Sequence, residues 1–195
     1  MKGVERIYPD DKRHNGKTYI HHLARYELAH MMNTVKNGFG LDLACGTGYG
    51  TNLLRENLEM VGVDICKEAI EYARNKYPDC EFIEADIVKF DFGKKDLITF
   101  FEGLEHLSKK DGEKVLLKAS EALNKEGSFF ISIPRNIDEV NNNFHKSHWT
   151  FKQFKTSLEL KFKNVLTIGQ DWDTAEFSDI DVKNNDFYVA ICRND

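Results

Sequence analysis

Ten consecutive residues, Leu41-Asp42-Leu43-Ala44-Cys45-Gly46-Thr47-Gly48-Tyr49-Gly50, carry the densest chemical signal in the chain. An apolar run meets three glycines at alternate positions, and an amphipathic stretch follows to about Leu58, the pattern of strand, tight turn and helix. Such a turn brings backbone close to a ligand. Asp42 narrows which ligand. At a dinucleotide site the turn and the helix N-terminus receive a pyrophosphate, which a carboxylate at the end of the preceding strand would repel. A cation suits that carboxylate better. The glycines agree, since Gly46, Gly48 and Gly50 spell GxGxG and not the GxGxxG of the dinucleotide fingerprint.

Two more acids close the next two apolar runs. Glu59-Met60-Val61-Gly62-Val63-Asp64 ends 22 positions after Asp42, where a doubly wound fold places a ribose-binding carboxylate. Cys80-Glu81-Phe82-Ile83-Glu84-Ala85-Asp86 ends likewise, and Asp86 is placed to accept from an adenine amino group. One such Asp alone reads as a helix cap or turn former. Three in series predict a positively charged, phosphate-free nucleoside, the chemistry of S-adenosylmethionine with its ammonium and sulfonium.

A second cluster follows the apolar run Leu97 to Phe100. In Phe101-Glu102-Gly103-Leu104-Glu105-His106-Leu107, a helical turn would set Glu102, Glu105 and His106 on one face at i, i+3 and i+4. Two carboxylates and an imidazole make three sides of a divalent metal site, and His145 is a candidate fourth ligand. Mixed oxygen and nitrogen donors suit Mn²⁺, Fe²⁺, Co²⁺ or Zn²⁺ better than Mg²⁺. In the metal-free alternative, neutral His106 or His145 serves as a general base near pH 7.

These residues need a scaffold that presents them along one edge. From Gly40 onward strands and helices alternate, which predicts a parallel sheet with right-handed crossovers. Strands are expected at 40–44, 59–64, 80–84, 95–101, 127–133, 161–168 and 186–193, with helices at 49–57, 67–76, 111–124 and 150–158. The polar, acidic stretch Gly169 to Asn185 lacks a helical pattern, so the last two strands should run antiparallel. The fold class is thus α/β: a Rossmann-like seven-stranded, mostly parallel sheet with the last strand antiparallel and helices on both faces. Ahead of it, Tyr19 to Val35 reads as a helix whose apolar stripe is Ile20, Leu23, Ala24, Leu28, Ala29 and Met32, with Arg25 and His30 elsewhere on the wheel. The 195 residues form one domain, a helical extension over 1–37 and the core over 38–195.

Composition bounds the rest. With 41% apolar residues the chain builds a core without staples. Cys45, Cys66, Cys80 and Cys192 form no CxxC pair and read as reduced thiols. No apolar stretch in Met1 to Lys17 is long enough for a signal peptide or membrane span, so a cytoplasmic location is expected. A net charge of -5 argues against a general nucleic-acid binder. The Lys-rich, aromatic segment from Lys146 to Lys163 reads as an amphipathic helix with a solvated basic face, or as a phosphate-contacting patch.

LDLACGTGYG (41–50), VGVDI (61–65), EADI (84–87), KDLITFFEGLEHL (95–107) and GSFFISIPRN (127–136) resemble, in order, the motifs of class I S-adenosylmethionine-dependent methyltransferases. Ala44 departs from a common glycine. The resemblance implies a cofactor held by Arg25, Asp42, Ala44, Gly46, Gly48, Asp64, Ile65, Asp86, Ile87 and Phe101, with S-adenosylhomocysteine as product and His106 and His145 as catalytic residues. Glu102, Glu105, His106 and His145 look like the metal set of small-RNA terminal 2′-O-methyltransferases. Related acid-acid-His clusters occur in some quinone O-methyltransferases, and many class I members carry the Glu-His pair with no metal implied. The EGLEH and HWT pieces with residues 22–29 look most like members associated with surface-glycan synthesis. No Asn-Pro-Pro-Tyr loop follows the fourth strand, which favours oxygen over exocyclic nitrogen. Four readings follow: methylation of a hydroxyl on a small molecule or saccharide, metal-assisted methylation of RNA 3′ ends, a cofactor-binding subunit without turnover, and, last, a dehydrogenase.

Overall fold

The computed structural model describes residues 6–10, 16–135 and 145–195. Eight described strands form one sheet in the order β3-β2-β1-β4-β5-β8-β6-β7. They are β1 (Gly38–Leu43), β2 (Leu58–Asp64), β3 (Glu81–Glu84), β4 (Lys95–Phe101), β5 (Leu123–Pro134), β6 (Asn164–Gln170), β7 (Phe177–Ser178) and β8 (Phe187–Arg193). β1 to β5 pair in parallel, while β8 runs antiparallel to both β5 and β6. The reversed last strand is as the sequence implied. The eighth strand is the difference: β7 lies within the stretch read as loop, and two residues are too few to show an alternating pattern.

Five helices are described: α1 (Lys17–Met32), α2 (Tyr49–Leu54), α3 (Lys67–Lys76), α4 (Lys109–Ala122) and α5 (Phe151–Glu159). α4 and α5 bury Val115, Leu116, Ala119, Phe154 and Leu158 in the larger core against Phe129, Ile131 and Phe100. On the opposite face α1 and α2 pack Tyr26, Ala29 and Leu54 against Phe101, Phe130 and Ile191. α5 starts with a capping box in which Thr150 accepts from Gln153 N and Gln153 Oε1 accepts from Thr150 N. Within the 146–163 segment Lys155 pairs with Glu159 and Lys161 with Glu113, while α5 buries Phe154 and Leu158, the pattern of an amphipathic helix.

α1 departs from its apolar pattern. The helix buries His21, Arg25, Tyr26 and Ala29, whereas Ile20 is exposed. The helix is turned so that polar side chains with partners on the sheet face inward, and those partners offset the desolvation that periodicity counts against them.

Candidate functional site

β3, β2, β1 and β4 are neighbours in that order, so the residues closing them line one edge: Asp86, Asp64, the 44–48 turn and Glu102. The turn is left-handed at Ala44 (φ 56°), Gly46 (φ 55°) and Gly48 (φ 82°). Ala44 therefore holds a conformation that costs about 1–2 kcal/mol for a residue with a Cβ. At Gly48 a Cβ would lie 2.6 Å from the Phe82 ring and 2.8 Å from the Ala73 Cβ, so α3 and β3 close over the turn only because the side chain is absent.

Asp64 pins this turn. Its Oδ2 accepts from Gly46 N at 3.0 Å, and its Oδ1 accepts from Cys66 N at 2.8 Å and from Arg6 Nη2 at 2.9 Å. Residues 6–10 thus lie across the turn: Thr47 Oγ1 donates to Ile7 O at 2.6 Å, and Tyr8 packs edge-on against Tyr72. A ribose hydroxyl seeking Asp64 would share or take over the position of Arg6.

Asp42 is completely buried and caged by hydroxyls. Thr51 Oγ1 donates at 2.6 Å, Thr99 Oγ1 at 2.8 Å and Tyr26 OH at 3.1 Å. Burial pushes this carboxyl up to about 6 against the pull of those donors. Burial, with Asp42 beside it, holds the Tyr26 hydroxyl well above its ordinary range, so it remains a donor. Asp42 therefore joins α1, α2 and β4 in the core, and any influence on a ligand cation is through its field.

Arg25, one residue before Tyr26, is wholly buried. Nε donates to Gln170 Oε1 at 2.7 Å, the guanidinium lies 4.2 Å over the Phe187 ring, and Nη1 is 3.1 Å from Glu102 Oε1. Burial draws the guanidinium below its ordinary value, with Glu102 acting in the opposite direction. Ser132 Oγ donates to the same Glu102 oxygen at 2.6 Å. Glu102 itself is left-handed (φ 50°), a conformation that costs energy and is retained where surroundings enforce it.

The turn Leu104–His106 is 3₁₀, and Glu102, which precedes it with a left-handed backbone, turns its carboxylate to Arg25 and Ser132 instead of to Glu105. Among the described residues, the carboxylate of Glu105 and the imidazoles of His106 and His145 bring one ligand atom each to within 4.8 Å of one another. Glu105 O accepts from Lys146 N and Ser147 N, which carries His145 over the turn, its ring 5.1 Å from that of His106. These three donors fit a divalent transition metal of the softer oxygen–nitrogen type. The fourth expected ligand, Glu102, is engaged by Arg25 and Ser132.

Asp86 Oδ1 accepts from Val88 N at 3.0 Å, a local turn contact, while the carboxylate remains partly exposed. Ile65 is 67% exposed beside Asp64. Ile87 and Phe101 point into the cores, so only their backbone is on offer to a ligand. The sequence reading missed Arg6, Ser132, Gln170 and Phe187. Arg6 belongs to a segment without pattern, and the other three lie on strands whose partners only the topology reveals.

Residues 41–127 match the family model described as "Methyltransferase domain". Carboxy-S-adenosyl-L-methionine synthase of Staphylococcus epidermidis is 26% identical over 62% of this chain and 53% of its own length. Trans-aconitate 2-methyltransferase of an Enterobacter species is 34% identical over 51% and 40%. The chain thus spans about half or less of the length of these curated relatives. Among solved structures, N-methyltransferase NodS of Bradyrhizobium japonicum in complex with S-adenosyl-L-homocysteine superposes with a TM-score of 0.66 at 16% identity, covering 95% of this chain and 89% of that one. The small RNA methyltransferase HEN1 gives 0.71 at 19%, covering 100% and 27%. Residues 41–127 thus match a methyltransferase domain, and the chain as a whole has the fold of S-adenosylmethionine-dependent methyltransferases.

Proposed function

We propose that the chain transfers a methyl group from S-adenosylmethionine to a hydroxyl of a small-molecule or saccharide acceptor. The observation that carries the donor assignment is Asp64, which closes β2 beside the left-handed turn and holds it through Gly46 N. The donor supplies an electrophilic methyl carbon on a sulfonium. The residues here would bind it, orient it and exclude water. Asp64 reads ribose, the 44–48 backbone approaches the nucleoside, and Asp86 and Ile65 flank adenine.

His106 and His145 stand beyond the end of β4, on the side away from Asp64 and Asp86. Either imidazole, when neutral, accepts the proton of the acceptor hydroxyl as the oxygen attacks. The similarity to an enzyme named for trans-aconitate supports a small acceptor. A second reading, methylation of RNA 3′ ends, is favoured by the Glu105, His106 and His145 donor set. A bound Mn²⁺-like ion there would lower the pKa of a coordinated hydroxyl. Methyl-transfer assays on nucleotide sugars, small hydroxy compounds and 3′-terminal RNA, each with and without EDTA, separate the two. EDTA-resistant transfer to a small hydroxyl compound supports the first reading. EDTA-sensitive transfer to RNA alone replaces it with the second.

A further inference from the structure

The groove between α4 and α5 has no part in holding the methyl donor. About 370 Å³ of space opens there along the first two turns of both helices, over Trp149 and beside Lys109, Glu113, Lys152 and Gln153. Gly112 shapes its floor: a Cβ at this position would lie 3.0 Å from Trp149 Cζ2, so the indole enters between the helices because α4 carries a glycine, a residue that weakens a helix interior. Lys109 Nζ stands 3.6 Å over the indole and donates to Gln153 Oε1 at 3.2 Å. Neither partner is an anion.

The charges lining this groove do not cancel. Glu113 is engaged by Lys161 Nζ and Ser157 Oγ, which leaves Lys109 and Lys152 in excess, and neither forms an ion pair with a carboxylate among the described residues. Both lysines stand in the first turn of their helices, where the helix dipole disfavours a cation, and α5 has no acid there to offset it. The groove adjoins the imidazole pair. Lys109 follows His106 by three residues and Trp149 follows His145 by four, at most about 11 and 14 Å of chain, and Glu105 O ties the two segments together through Lys146 N and Ser147 N.

We propose that this groove takes a phosphate group of the acceptor, Lys109 and Lys152 holding its oxygens while the hydroxyl to be methylated lies at His106 and His145. The inference rests on the hydroxyl-acceptor reading above and narrows it to a phosphorylated small molecule of the sugar-nucleotide class. Two lysines offer a phosphate point charges, and the face of Trp149 offers a sugar or base an apolar surface. As the phosphate draws Lys109 from the indole, the surroundings of Trp149 change.

The test titrates uridine diphosphate, uridine and an RNA trinucleotide into the protein with its donor site filled by S-adenosylhomocysteine. Calorimetry on wild type, Lys109→Gln, Lys152→Gln and the double variant gives the affinities. Fluorescence of Trp172→Phe gives the location, since Trp149 and Trp172 are the two tryptophans of the chain. Expected is a saturable response of Trp149 to uridine diphosphate and none to uridine, with affinity for the diphosphate falling about 10- to 100-fold in the double variant, the size of a charged hydrogen bond. S-adenosylhomocysteine affinity, unchanged in every variant, certifies the fold. Uridine bound as well as its diphosphate, diphosphate binding indifferent to both lysines, or a response to the trinucleotide alone would each overturn the proposal. Equal KM for a free sugar and its nucleotide in methyl transfer would overturn it too and leave the hydroxyl reading intact. Absence of transfer to any hydroxyl compound overturns that reading, and this proposal with it.

Discussion

Asp42→Asn removes the charge of a carboxyl that the fold keeps wholly out of water. Three hydroxyls surround it, each able to turn from donor to acceptor, so the amide is accommodated in shape. Burial raises the native carboxyl to about 6 from an ordinary 3.8, so between those values the native state holds a proton that the unfolded chain has released. Stability from this group is therefore complete well below pH 4 and is lost as pH rises through about 6. The raised affinity corresponds to about 3 kcal/mol, at about 1.4 kcal/mol for each tenfold. Urea unfolding of wild type and Asp42→Asn between pH 4 and 7.5 reads it directly. The difference in unfolding free energy, wild type minus variant, should fall by about 2.5 kcal/mol across that range, the remainder being lost below pH 4. Parallel profiles would show that Asp42 is not held in the state derived from its burial.

Glycine substitutions in the turn should rank by space as well as backbone. Gly46→Ala meets nothing within 4 Å and should cost about 1 kcal/mol from its left-handed conformation, whereas Gly48→Ala adds about 1–3 kcal/mol of overpacking against Phe82 and Ala73. Thermal or urea unfolding measures both, and equal costs would contradict the packing described. Thr150→Ala removes the α5 cap and should lower stability by about 1 kcal/mol in the same assay. At least one of His106→Ala and His145→Ala should reduce methyl transfer by about 100-fold while leaving S-adenosylhomocysteine affinity unchanged. Full activity in both variants would remove the imidazoles from the chemistry.

Elements with a strong period were legible in the chain itself. The pattern places β4 at 95–101 and α3 at 67–76, as the structure has them, because a short apolar run and an amphipathic decamer each admit one solution. The glycine turn and the acid closing β2 were legible for the same reason, since the turn chemistry is local. What periodicity misjudged was α1, where the inward side chains are Arg25, Tyr26 and His21 and their compensating partners lie some 16 to 150 positions away. The expected metal set met the same limit. Spacing puts Glu102, Glu105 and His106 on a common face, but the left-handed backbone at Glu102 turns its carboxylate toward α1, while His145 does reach His106. Arg6 on Asp64 was outside any sequence pattern, for a short polar segment carries no period.

The central claim is that a phosphate-free nucleoside lies across the ends of β3, β2, β1 and β4. A crystal structure of the protein with S-adenosylhomocysteine tests it most directly. The account predicts both ribose hydroxyls at about 2.7 Å from the Asp64 carboxylate, Arg6 drawn off its Oδ1, and adenine against Ile65 and Asp86. Ligand bound elsewhere, with the Arg6–Asp64 pair intact, would contradict it.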